Sequence, residues 1–218
     1  MKTLSKFVPI KHYKSFYIDD KTTSTQLDKI ITEINETKEC IIVPYDTWSS
    51  KEHIFQMELI KQSFSMKTII HSSVVCHVIS AKINELLSIV FSSSTTIQTW
   101  SKSNKDLLYN QVYCGFPTCD TAKVNFVNIQ ESFKTWYNTT FGHDENCGQI
   151  LDFNDIDGPL CMCSHRPLKC SHDKWSLSDA IAYTFHEKLD TENRDFPECL
   201  AITKLYSYQR KLESSTSP

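Results

Sequence analysis

The chain has 218 residues, 40% of them hydrophobic and 11% aromatic, with a formal charge of −3 at neutral pH. Such a length is most simply one domain, and its core is large enough to fold without disulfides. A small disulfide scaffold is excluded, and so is a globally basic nucleic-acid binder, so any phosphate-binding surface must be local.

Residues 1–23 are polar and mixed and read as an extended lead-in. Ser24-Thr25 then looks like a helix cap. Leu27, Ile30, Ile31 and Ile34 follow at helical spacing, which predicts an amphipathic helix over Thr25–Asn35. Cys40–Tyr45 is a near-continuous apolar run, as expected of a strand buried on both faces. His53–Ile60 and Lys67–Val75 are the second and third strands, and the short connections favour a β-meander. Val78–Phe91 switches to helical period through Ile79, Ile83, Leu86, Leu87 and Val90. Thr95–Trp100 is a fourth strand. A short helix is expected over Asn104–Tyr109, an extended piece over Val124–Ile129 and a helix over Glu131–Tyr137. A further helix follows over Trp175–Leu189, capped by Ser176 or Ser178, and a last one over Glu198–Leu212. The order predicts an α/β domain over residues 24–212, with one mixed sheet, helices packed on it, and a flexible tail at 213–218.

Residues 138–173 depart from this pattern. They hold three of the four Gly, four of the nine Cys and three of the eight His, with little hydrophobic period. A loop of this length is usually functional, disordered or stapled by a metal. Its compact part reads C-x-C-x-H-x4-C-x-H through Cys161, Cys163, His165, Cys170 and His172, with Cys147 upstream. Cys161, Cys163, Cys170 and His172 would suit a structural Zn²⁺, which takes four Cys or His ligands. One-residue gaps within each close pair are not those of a standard finger, so a Cys-rich loop with free thiols is the other reading. The odd cysteine number favours reduced thiols, and the start of the chain lacks the apolar run of a signal peptide. No segment approaches a membrane span. These features predict a cytoplasmic or nuclear protein without membrane contact.

Three acids carry the chemistry. Asp46 ends the first buried strand, where a side chain projects into a cleft rather than a core. Asp106 follows the fourth strand, and Glu198 opens the last helix. Carboxylates from distant segments are what a pair of Mg²⁺ or Mn²⁺ ions needs for phosphodiester hydrolysis. Asp106 and Glu198 also read as ordinary first-turn helix charges. Lys102 and Lys105 flank Asp106 and could meet phosphates, as could Arg166, Lys169 and Lys174. Trp48, Trp100 and Trp175 could stack on unpaired bases, although the positions of Trp100 and Trp175 suit packing.

Four segments together resemble the ribonuclease D-like branch of the DEDD 3′–5′ exonucleases. They are Ile41–Trp48 (IIVPYDTW), Ile54–Ile60 (IFQMELI), Ile97–Leu107 (IQTWSKSNKDL) and the pair WSLSDAIAYTF with ECLAITKL. The resemblance covers roughly residues 24 to 210. It implies a ribonuclease H-like fold with helices on both faces of a mixed sheet. It also implies metal ligands at Asp46, Asp106 and Glu198, and a single-stranded RNA or DNA partner. The chain departs from the family where it matters. Trp48 stands where family members carry Glu, Glu198 replaces Asp, and Arg194 replaces the Tyr of the tyrosine-bearing branch. Glu52 and Glu58 lie nearby without the right spacing from Asp46, and Pro197 opposes an earlier helix start that would recruit Asp195. Three readings stay open: an active metal-dependent 3′–5′ exonuclease on single-stranded RNA or DNA ends, an exonuclease-like nucleic-acid binder with impaired hydrolysis, and an inactive interaction module that binds a protein partner or serves as a scaffold.

Overall fold

Thr23 starts the first helix. Its backbone N–H donates to Gln26 Oε1 at 2.7 Å, and its hydroxyl accepts from the Gln26 N–H at 3.3 Å. This reciprocal capping box satisfies two helix-end donors and lies one residue before the Ser24-Thr25 cap that the sequence suggested. Helix α1 (Ser24–Asn35) then buries Leu27, Ile30, Ile31 and Ile34, the stripe set by their spacing.

The structure is a computed structural model that describes residues 4–19, 21–35, 39–46, 53–60, 65–71, 80–92, 95–100, 124–141, 175–190 and 197–216. It divides into two compact units, Ile10–Asn128 and a second formed by Met1–Pro9 with Ile129–Pro218.

The Ile10–Asn128 unit is built on a six-stranded sheet. Its strands are β2 (Tyr13–Ile18), β3 (Glu39–Asp46), β4 (His53–Ile60), β5 (Ser65–His71), β6 (Thr96–Thr99) and β7 (Asn125–Asn128), in the order β2-β5-β4-β3-β6-β7. Strands β3, β5 and most of β4 are described by their backbone. β3, β4 and β5 form the expected antiparallel meander, and β4 matches its predicted bounds. β6 joins β3 in parallel, β7 joins β6 in parallel and β2 joins β5 in parallel. All strands except β4 therefore share one direction, which makes the sheet mixed. Parallel neighbours need crossovers, and the connection from β5 to β6 contains α2 (Ser80–Val90), which packs against α1. Ile18, Met57 and Ile97 of the sheet meet Leu27, Ile30, Ile34, Ile83, Leu86, Leu87 and Val90 of the two helices in one core. Each fully buried aliphatic side chain there contributes about 1.5–3 kcal/mol. The Lys82–Asp28 ion pair joins α2 to α1 at the surface.

Strand β2 corrects the reading of residues 1–23 as an extended lead-in. That segment holds β1 (Ser5–Lys6) and β2, and β2 adds a strand to the sheet beyond the meander. The third strand is β5 over Ser65–His71, and its predicted end at Val75 falls in residues 72–79, outside the described residues.

The other unit contains α3 (Ile129–Thr140), α4 (Leu177–Phe185), β8 (Glu187–Lys188) and α5 (Glu198–Thr216). Phe133, Tyr137 and Trp175 pack with ring centroids 4.7–5.6 Å apart. Burial there, with Tyr183 adding to it, pushes the Tyr137 phenol above its ordinary value. Ser176 caps α4 by accepting the Asp179 N–H at 3.0 Å, as one of the two expected caps. The helix stops at Phe185, four residues before the predicted end. His186 turns left-handed at φ 55°, and its N–H donates to Ala182 O at 3.0 Å. β8 then pairs in parallel with β1. Lys204 of α5 fastens this corner. Its Nζ donates to both Glu187 carboxylate oxygens at 2.7 Å and to Val8 O at 2.8 Å, and it lies 4.5 Å from the Phe185 ring centre. α5 runs to Thr216, past the predicted Leu212 and into the segment read as a tail.

Candidate functional site

β3 and β6 are parallel, so their carboxyl ends lie at the same edge of the sheet. In α/β sheets with parallel strands, ligands bind outside this edge. Asp46 is the last residue of β3, in register with His53 at the end of the β3–β4 ladder. The segment that leaves β6 contains Lys102, Lys105 and Asp106, which lie outside the described residues, as does Trp48.

Glu198 is the first residue of α5 and is half-buried. The Ala201 N–H donates to Pro197 O at 2.9 Å, so the helix begins directly after the proline, as expected from its backbone restriction. Asp195 and Arg194 lie outside the described residues. Asp46 and Glu198 fall in different units, and within one unit no pair of the three acids is brought together among the described residues. The described residues contain no group of three or more His, Cys, Asp or Glu that could hold a metal ion. Cys161, Cys163, Cys170 and His172 lie outside them too.

Register settles the place of Glu58. It pairs with Ile41, whereas Asp46 pairs with His53. Five residues of strand separate the two positions, roughly 17 Å at the usual rise. Glu58 therefore stands well away from Asp46, as its spacing in the sequence suggested. It is fully buried, and Gln98 on β6 is 1% exposed. Both are in register with Ile41, from opposite sides of β3. The sequence did not single out Gln98. Its one signal was a polar residue inside the strand pattern TTIQTW. Lys67 of β5 is the register partner of Glu58. Trp175 is core, 1% exposed, and Trp100 is half-buried, in line with the packing expected of both.

Comparison of the whole chain with solved structures finds relatives in fold. The exonuclease domain of Nibbler from Aedes aegypti matches with a TM-score of 0.52 at 10% identity, over 91% of this chain and 89% of that one. Ribonuclease D from Trypanosoma brucei matches with a TM-score of 0.45 at 10% identity, over 92% of this chain and 65% of that one. No protein-family model matches the chain, and no curated protein matches it in sequence. The chain has the α/β fold of an exonuclease domain, as its four motif segments implied. At this level of identity the likeness is one of fold.

Proposed function

We propose that this chain binds single-stranded nucleic acid on an exonuclease fold and has lost efficient metal-dependent hydrolysis. The observation that carries the binding half is the fold, shared along nearly the full length of the Nibbler exonuclease domain. The position of Asp46 at the carboxyl end of β3 supports the same reading, because carboxylates at that edge serve phosphodiester chemistry in such folds. Asp46, Asp106 and Glu198 are the residues that would hold Mg²⁺ or Mn²⁺, whose chemistry is activation of water and neutralisation of developing phosphate charge.

The catalytic half of the reading rests on residue chemistry. An indole at Trp48 offers no oxygen to a hard cation. Glu198 carries one methylene more than Asp, and misplacing a catalytic group by about 1 Å can cost about a hundredfold in rate. Trp48 instead offers a stacking surface, with Lys102 and Lys105 as phosphate contacts.

The test uses purified protein with end-labelled single-stranded RNA and DNA in Mn²⁺. Retention of the label by wild-type protein, without shortening beyond that given by Asp46→Ala, is the expected result. Shortening from the 3′ end that Asp46→Ala abolishes would make the chain an active exonuclease. No retention of either strand would favour an interaction module with a protein partner.

A further inference from the structure

We propose that Lys6 and Lys188, side by side on the outer face of the β1–β8 sheet, grip one phosphate of the bound single strand. The inference rests on the single-strand-binding reading above. It adds a phosphate contact on the unit formed by Met1–Pro9 with Ile129–Pro218, at residues that the acidic motifs do not contain.

Register sets the pair. Lys6 of β1 stands directly opposite Lys188 of β8, on parallel strands. Neighbouring strands lie about 5 Å apart, and register partners project from the same face. Both side chains are exposed, and neither ammonium has an ion pair or a hydrogen bond among the described residues. Like charges placed directly opposite each other are destabilising. One lysine is enough to keep a foreign strand off so short an edge, so edge protection leaves the second unexplained. A phosphodiester between them carries two anionic oxygens, one for each ammonium, and turns the repulsion into attraction.

The opposite face holds the pair in place. Phe7 is buried there, with the Lys204 ammonium 5.3 Å from its ring centre. The Ser5 N–H donates to His186 O at 3.0 Å and the Phe7 N–H to Lys188 O at 3.1 Å. Beyond them the Val8 N–H donates to Glu187 Oε2 at 3.2 Å. With the backbone fixed in advance, only two side chains must be ordered, which limits the entropic cost of binding.

Charge selects the occupant. Glu187 alternates to the face opposite Lys188 and directs its carboxylate to Lys204. Asp190, two residues past Lys188, forms no ion pair with either lysine. Met1–Pro9 carries Lys2 and Lys6 and no acid, within a chain of net charge −3. An acidic protein segment would also meet cations. Among the described residues of this face, however, the exposed apolar group is Val8, with no aromatic or arginine anchor of the kind that dominates protein interfaces. A phosphate needs only the cations.

The experiment is fluorescence anisotropy of a labelled mixed-sequence single-stranded oligonucleotide with the full chain, across a salt series. K6Q/K188Q should weaken binding several-fold at low salt, alike for every sequence. It should also lower the slope of log affinity against log salt by about 0.7, the value for one phosphate on a single strand. K6R/K188R should keep the affinity and slope of wild type, because the charges remain. Val8→Ser should keep them too, since it alters the same corner without touching the cations. If wild type binds and K6Q/K188Q matches it in affinity and slope, the lysine contact is wrong while the general reading stands. If wild type binds no strand, both fail. A loss in Val8→Ser as large as in K6Q/K188Q would trace the effect to a disturbed corner and overturn the proposal. So would a K6Q/K188Q protein that holds the strand as wild type does but no longer retains labelled polyglutamate, which would give the face to an acidic protein.

Discussion

Lys204 illustrates how one side chain can fix a corner of this molecule. Its side chain is 11% exposed and that of Glu187 13% exposed, so the pair sits largely out of water. Removing one member of such a pair leaves the other uncompensated. Lys204→Met should destabilise the unit by roughly 3 kcal/mol, read as a lower denaturation midpoint in urea. A midpoint equal to wild type would mean that Glu187 finds another partner. Nothing local in the sequence marks Lys204, because Val8 and Glu187 reach it from far along the chain. Leu27, Ile30, Ile31 and Ile34 are the opposite case. Their burial was legible because one helix face needs only the spacing of near neighbours. Of the candidate site, Asp46 was legible as a strand-end acid, since a strand's end shows in the loss of its apolar run. How it relates to Glu198 was not, because that depends on contacts that spacing does not encode.

At the scale of elements, the same contrast separates β4 from β2. His53–Ile60 reads as a strand because it alternates and sits in mid-sheet. β2 pairs with a strand some fifty residues later, and five of its six residues lack full burial, so no alternation announced it. α4 was read too long for a related reason. His186 ends it in a left-handed conformation that a glycine adopts more readily, and β1 then claims the next two residues. His186→Gly should raise stability by about 0.5–1 kcal/mol in chemical denaturation, while His186→Val should lower it by at least as much. Equal stability of the three proteins would mean that the turn costs the backbone nothing. The Cys/His segment is a further element-scale question. A zinc clip predicts about one zinc per chain by elemental analysis of protein prepared without chelator, falling in C161S/C163S, because a tetrahedral site needs its thiolates. A zinc content near zero would leave these residues as free thiols.

For the whole molecule, the fold is what persists. The chain builds a meander followed by two parallel strands, with α2 in the connection from β5 to β6, and it shares its fold with the Nibbler exonuclease domain at only 10% identity. A core of this kind tolerates wide sequence change as long as pattern and volume persist, which is why one fold can persist at 10% identity. Activity has less tolerance, since a catalytic group misplaced by about 1 Å can cost about a hundredfold in rate. The central claim is thus that binding outlives hydrolysis in this chain. It is tested most directly by following a 3′-end-labelled single strand with Mn²⁺ in parallel reactions of wild type, Asp46→Ala and Trp48→Glu, with binding measured on the same samples. Wild type should retain the strand with no cleavage above the Asp46→Ala level, and new 3′–5′ shortening should be confined to Trp48→Glu. Wild-type shortening that disappears in Asp46→Ala would contradict it.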